Sequence, residues 1–305
     1  MSGSRGTAVT IALVIGALVA AGCGLGPGKG LDDVELTVTQ EYGAEPVLRG
    51  PVGDVTESDT VMRALERKAE ITTRYGGGFV QSIEGVEAGE RGGDPYDWFF
   101  YVNGVESTVG AASYSLHGGE RIWWDYRDWS GAERVPAVVG AFPEPMLSGY
   151  DGKPRPVAVE CMGGGEACAA AREKLEAAGV SIAAGSPGGA IHVLVGPWAR
   201  VRDDPAAAQI EAGPQVSGVF ADFAEKGGGF ELQGLDQSGD VARGFGSGAG
   251  LVAATRRYEA QPVWIVTGVD RAGTLAAAEL LTAAGLRDDY AVATEDGAEA
   301  PLPTR

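Results

Sequence analysis

Histidine is nearly missing from this chain: His117 and His192 are the only two in 305 residues, and there are three cysteines. That leaves little from which to build a metal centre, since zinc sites draw three or four ligands from these residue types. Both histidines have structural readings. His192 lies in the apolar run Ile191 to Val195, and His117 precedes Gly118-Gly119 in what reads as a solvated turn. No Gly-x-Ser-x-Gly element marks a nucleophile, so no enzyme is expected. Basic side chains are scarce as well: 24 Lys and Arg stand against 42 Asp and Glu, for a formal charge of −18. Such a field disfavours nucleic acid and anionic lipid as partners. Long apolar runs are also missing; the stretch from Ala8 to Ala21 falls short of the ~20 residues that span a bilayer as a helix.

What that short stretch does offer is a leader. It ends in Leu18-Val19-Ala20-Ala21-Gly22-Cys23, with small residues just before the thiol and Arg5 as its one side-chain charge. This is the layout of a bacterial lipoprotein signal, with residues 1–22 removed and Cys23 lipidated. A diacyl anchor at Cys23 holds a protein stably at a membrane, which places the chain on the extracytoplasmic face. Removing the leader takes one Arg and no acid, leaving a formal charge of −19. Cys161 and Cys168 then remain in an oxidising compartment and are expected to form a disulfide. Residues 23–31 read as a Gly-rich tether.

The rest divides by its grammar. Residues 32–130 begin with the alternating strand Val34 to Thr39, continue with a helix from Ser58 to about Ile71, and then show strands at Phe79–Ile83, Trp98–Val102 and Arg121–Tyr126. Asn103-Gly104 after the second of these is a hairpin turn signal, because both residues tolerate positive φ. Residues 131–155 hold four prolines without periodicity and read as a linker. From 156 to 295, apolar strands alternate with Ala-rich helices, as in a layered α/β domain. Residues 296–305 are expected to be a disordered tail. The fold class is therefore α+β.

Aromatics crowd the end of the first domain: Tyr96, Trp98, Phe99, Phe100, Tyr101, Tyr114, Trp123, Trp124, Tyr126 and Trp129. Neighbours in a strand face opposite ways, so Phe99 and Tyr101 cannot share the side of Trp98 and Phe100. One set covers the helix; the other packs against the second domain or binds a flat, partly apolar ligand. A second, weaker candidate lies beyond the strand ending at Val195, where Trp198, Arg200 and Arg202 follow directly and ligands of open sheets bind. Two glycine-rich turns are not nucleotide loops. At Gly163-Gly164-Gly165 the spacing fails, and between Gly268 and Thr274 the position of the phosphate-binding Lys is held by Thr274.

Four ordered blocks resemble a known family: Thr60-Val61-Met62-Arg63-Ala64-Leu65, Phe79-Val80-Gln81-Ser82-Ile83-Glu84-Gly85, Trp98-Phe99-Phe100-Tyr101-Val102-Asn103-Gly104, and Val109-Gly110 through Tyr114 to Ile122. They are similar to the transcobalamin-like C-terminal domain, also described as domain of unknown function 4430. The resemblance implies a β-grasp-like fold and corrinoid binding. It places Trp98 and the loop from Gly110 to Tyr114 at ligand contacts, and Phe100 and Trp124 of the same aromatic strands complete the candidate set. The helical half of the vertebrate carriers' cage has no counterpart in this sequence. The function so implied is a lipid-anchored lipoprotein that captures cobalamin or another corrinoid for a membrane importer; the alternative is a surface protein-interaction module with no small-molecule ligand. No cofactor other than cobalamin as ligand is expected.

Overall fold

The computed structural model describes residues 28–163 and 165–305; the leader 1–22 and Cys23 lie outside the described residues. The first part of the chain contains β1 (Glu35–Gln40), β2 (Glu45–Pro51), helix α1 (Val61–Glu66), β3 (Ile71–Arg74), β4 (Phe79–Ile83), β5 (Val86–Glu87), β6 (Gly89–Arg91), β7 (Asp94–Val102), β8 (Val105–Glu106) and β9 (Arg121–Asp128). Its main sheet has the order β2-β1-β9-β7-β6, with β8 paired to the end of β7; β3-β4-β5 form a separate small sheet. The central pair β1 and β9 is parallel, while β9 and β7 run antiparallel.

Helix α1 is shorter than its periodicity suggests. Thr60, not Ser58, caps it, its hydroxyl accepting the Arg63 N–H at 3.3 Å. The β-branched run Ile71-Thr72-Thr73 leaves the helix to pair with β4. Val61, Met62, Ala64 and Leu65 bury the helix against Leu36, Val38, Trp98, Trp124 and Tyr126 of the main sheet. The β7–β8 hairpin turns through Asn103 and Gly104 at φ of 52° and 73°, the positive pair that a two-residue turn demands.

The second part contains β10 (Val157–Cys161), α2 (Gly165–Ala177), β11 (Ile191–Pro197), α3 (Trp198–Val201), α4 (Pro214–Ser217), β12 (Ala221–Lys226), β13 (Gly229–Leu235), β14 (Val241–Phe245), β15 (Gly250–Thr255), β16 (Val263–Gly268), α5 (Arg271–Glu279), β17 (Ala291–Glu295) and β18 (Ala298–Leu302). Six of these strands form a sheet in the order β10-β11-β16-β15-β17-β18. The first three are parallel and the rest antiparallel. The molecule is α+β.

Alternation along these strands creates two cores. Val193, Val195, Val252, Trp264 and Val266 face helices α2 and α5. Leu194, Leu251, Ala253 and Ile265 face the other way, onto the small β12–β14 sheet and the aromatic side of the first sheet. Cys161 and Cys168 are bonded across the turn into α2.

Three expectations about connecting segments are corrected. Residues 131–155 are not a linker: Val135 and Val138 enter one core, and Val139, Phe142 and Met146 the other. Val138 N–H donates to Gly104 O and Val139 N–H to Tyr290 O, so the segment is a strap between the sheets. Its prolines interrupt periodicity without making it soluble, because half its side chains are apolar. Residues 296–305 are no disordered tail, since β18 extends the large sheet through β17 and Leu302 is buried. At the other end Leu31, placed in the tether, donates to Val55 O at 2.7 Å. Among the described residues no helix is long and apolar enough to cross a membrane.

Candidate functional site

A cleft of about 340 Å³ opens on the helix side of the first sheet. Its floor is Trp98, Phe100 and Trp124; Gly78, Phe79 and Val80 form one wall, and the loop from Glu106 through Gly110 to Ala111 forms the other. Four residues named from the sequence, Trp98, Phe100, Gly110 and Trp124, therefore meet around one cavity. The loop is held there by α1: Met62 N–H donates to Ala111 O and Val61 N–H to Tyr114 O, so orphan donors of the helix start fix its course.

The floor is rigid. Trp98 is 5% exposed, its indole N–H donates to Val86 O at 3.0 Å, and its ring lies 5.1 Å from that of Tyr126. Phe100 packs on Trp124 with ring centroids 5.0 Å apart. The Trp124 indole N–H is buried and has no partner among the described residues. The walls are more accessible, with Phe79 37% and Val109 47% exposed. Asp97 and Glu106 bring carboxylates to the rim. Burial raises both above the usual carboxylate range, against the pull of the Trp98 N–H, Arg127 and Arg74 on Asp97 and of Arg134 on Glu106.

Tyr114 does not belong to this cleft. It is buried beside it, donating to Glu120 Oε1 at 2.9 Å and accepting the Asp151 N–H at 3.2 Å. Its position pins the strap to the loop. His117 bonds the same Glu120, with Nδ1 3.1 Å from Oε1. His192 lies 2.5 Å from Glu160 Oε1 at the edge of the large sheet.

The candidate at Trp198, Arg200 and Arg202 is also corrected. Trp198 is fully buried and stacks on Phe223 at 4.3 Å, as part of the core beneath the β12–β14 sheet. Arg202 pairs with Glu211 and Glu225, and Arg200 is exposed. An aromatic and two arginines after a strand are here one core anchor and surface charge. Sequence reasoning missed Phe79, Asp97, Glu106 and Val109. The periodicity that assigns β4 and β7 could not show that Phe79 and Asp97 would face each other across the gap between two sheets.

The second aromatic set is covered. Tyr101, Trp123 and Tyr42 pack with Tyr290 and Phe220 in the core shared with the large sheet. Phe99 sits beneath the Arg127 guanidinium, 3.8 Å from ring centroid to carbon. Packing against the second domain is the fate of Tyr101 and Trp123, whereas Phe99 stays half-buried and also lines the cleft.

A second depression of about 450 Å³ lies on the far side of Phe79 and Asp97, which it shares with the cleft. Tyr75, Gln81, Tyr96 and Trp129 line it.

Residues 58–128, which supply nearly all of these walls, match the family described as Domain of unknown function (DUF4430). The match covers less than a quarter of the chain. No curated protein matches the chain. Among solved structures, a protein of Ruminococcus gnavus provisionally named a metal binding protein matches at 14% identity, with 32% of this chain and 97% of that one covered, and a TM-score of 0.26. At that score the likeness carries no structural argument. Among the described residues, no group of three His, Cys, Asp or Glu side chains is placed to hold a metal ion.

Proposed function

We propose that this protein is a lipid-anchored, extracytoplasmic ligand-binding lipoprotein whose cleft takes a flat, partly apolar molecule, a corrinoid being the class that the family resemblance implies. The observation that carries this reading is the convergence of Trp98, Phe100, Gly110 and Trp124 on one cavity with an aromatic floor. Aromatic floors favour planar apolar ligands through area burial and stacking. At about 340 Å³ the cleft lies near the lower end of the ~300–1,000 Å³ typical of small-molecule sites. A macrocycle would therefore insert one edge and spread over Phe79 toward the second depression. The anchor is proposed from the leader and Cys23, and hand-over to a membrane importer is proposed with it.

Incubation with cyanocobalamin, desalting and an absorption spectrum test the reading. Corrinoid absorbance carried in stoichiometric amount with the protein supports it. A protein fraction free of corrinoid at every concentration tried would favour the surface interaction module instead.

A further inference from the structure

Tyr258 is 89% exposed and sits at a φ of 49°. It holds the first central position of the turn between β15 and β16, which the Ala260 N–H closes by donating to Arg257 O at 2.9 Å. Turns with positive φ at that position take glycine, asparagine or aspartate, because a larger side chain is strained in the left-handed region. A single exposed aromatic needs no explanation by itself. One held in a strained conformation does, and such outliers gather at binding sites. The turn is also pinned. Arg256 Nε donates to Ala260 O at 2.5 Å and Nη2 to Glu259 O at 3.3 Å, while the guanidinium lies 5.5 Å from the Tyr150 ring centroid and the side chain is 8% exposed.

The ring borders a groove of about 350 Å³ that lies between this turn, the strap, the short 3-10 helix Ala207–Ala212 and α4. That volume falls within the ~300–1,000 Å³ of small-molecule sites. Gln209 and Gln215 form one wall, and Glu133 and Arg134 of the strap form another. Each glutamine commits an amide N–H to a backbone carbonyl, Gln215 to Ser130 O at 2.7 Å and Gln209 to Ala206 O at 3.3 Å, which orients the side chain and leaves its Oε1 to accept. Arg134 Nε donates to Glu106 Oε2 at 2.9 Å, and its Nη groups have no partner among the described residues. Two carboxylates and two guanidinium groups make the lining formally neutral, in a chain of charge −18.

This lining selects by chemistry. Both guanidinium groups are already engaged, so an anion gains little there, and an apolar ligand would leave the oriented polar groups unpaired. What satisfies them is a ligand whose hydroxyls both donate and accept, carried on a ring with an apolar C–H face that can lie on an aromatic. We propose that this groove binds a saccharide, with a pyranose ring stacked on Tyr258 and its hydroxyls bonded to the amide oxygens of Gln209 and Gln215 and to the Arg134 guanidinium. The site shares only Glu106 with the aromatic cleft, and the inference stands apart from the ligand proposed there.

The test measures depletion of the protein from solution by insoluble chitin, peptidoglycan, cellulose and starch. The first two carry N-acetylated rings and the last two plain hydroxylated ones, so the pattern of retention identifies the source of the sugar. The wild-type protein should be retained by at least one of the four. Tyr258→Gly relieves the backbone strain while keeping the turn, so its melting temperature should be no lower than wild type, yet it should bind that polymer at least tenfold more weakly. Tyr258→Trp keeps an aromatic platform and should bind within threefold of wild type. Gln215→Ala, on the other wall, reads the groove independently of the turn and should weaken binding at least threefold. Retention by none of the four polymers would overturn the proposal, as would wild-type affinity in both Tyr258→Gly and Gln215→Ala.

Discussion

Trp123 and Trp124 are adjacent in β9 and belong to different cores. Trp123 meets the Tyr290 ring at 5.4 Å, inside the seam with the large sheet, whereas Trp124 meets Phe100 at 5.0 Å beneath the cleft. The same separation holds for Tyr101 and Phe100 in β7, where Tyr101 joins the seam. One strand pair thus fastens two sheets with one face and floors a cavity with the other.

Because Trp123 is a seam residue, Trp123→Ala should destabilise the protein by about 3–5 kcal/mol, the usual cost of emptying a large aromatic site. Chemical denaturation checks this. A loss under about 1 kcal/mol would mean that the two sheets are held together by other contacts.

A polar network crosses the same seam. Asp125 accepts hydrogen bonds from Thr39, from the Gly43 N–H and from Tyr290, and Tyr101 donates to Tyr290 in turn. Burial pushes the Asp125 carboxyl up to about 6, with those donors pulling against it. Its unfolded value is ~3.9, so the folded form binds the proton more tightly; the stabilisation is full below about pH 4 and is lost as pH rises through about 6. Asp125→Asn removes this dependence. The stability of the variant relative to wild type should rise between pH 4 and pH 6.5 by on the order of 2–3 kcal/mol. Asp289, pushed up to about 7 by burial, titrates in both proteins and cancels in the difference. A difference that stays constant with pH would contradict the assignment.

The bonded pair Cys161 and Cys168 closes a loop of seven positions at the start of α2. Thiol titration of the denatured, unreduced protein should find neither thiol free. Replacing both by Ser should cost roughly 2–3 kcal/mol, the chain-entropy value for so short a loop.

Near the amino terminus, Cys23→Ser should abolish lipidation. Mass spectrometry of the membrane fraction would show a diacylglyceryl adduct on the wild-type amino-terminal peptide and none in the variant. An intact Met1 terminus would remove the anchor from this account.

Much of the first domain was legible because its signals are local. Alternation assigns β1, β7 and β9, Asn103-Gly104 marks the hairpin, and the opposed faces of Phe99 and Phe100 follow from a period of two. What was not legible depends on who covers a face. Val135, Val138 and Phe142 look like linker residues until two sheets close over them, and Trp198 looks like a ligand contact until Phe223 stacks on it. Leu302 shows no strand signal of its own, since Pro301 and Pro303 flank it, and it is ordered by pairing with β17. The cleft was half legible: the aromatic floor follows from pattern, but its walls come from β4 and a loop that only the tertiary fold brings opposite. Burial also changes how the site should be probed. Trp98 is part of the core as well as the floor, so Trp98→Ala would lower stability and binding together and separates nothing.

Phe79 separates them, being the wall residue that is partly exposed and stands between the two depressions. The most direct measurement is the affinity of Phe79→Ala for cyanocobalamin by calorimetry, set beside its melting temperature. The account predicts at least a tenfold loss of affinity with the melting temperature within about 2 °C of wild type, as expected of a surface substitution costing ~0.5 kcal/mol or less. Unchanged affinity in a protein that does bind the corrinoid would place the ligand elsewhere and contradict the assignment of this cleft.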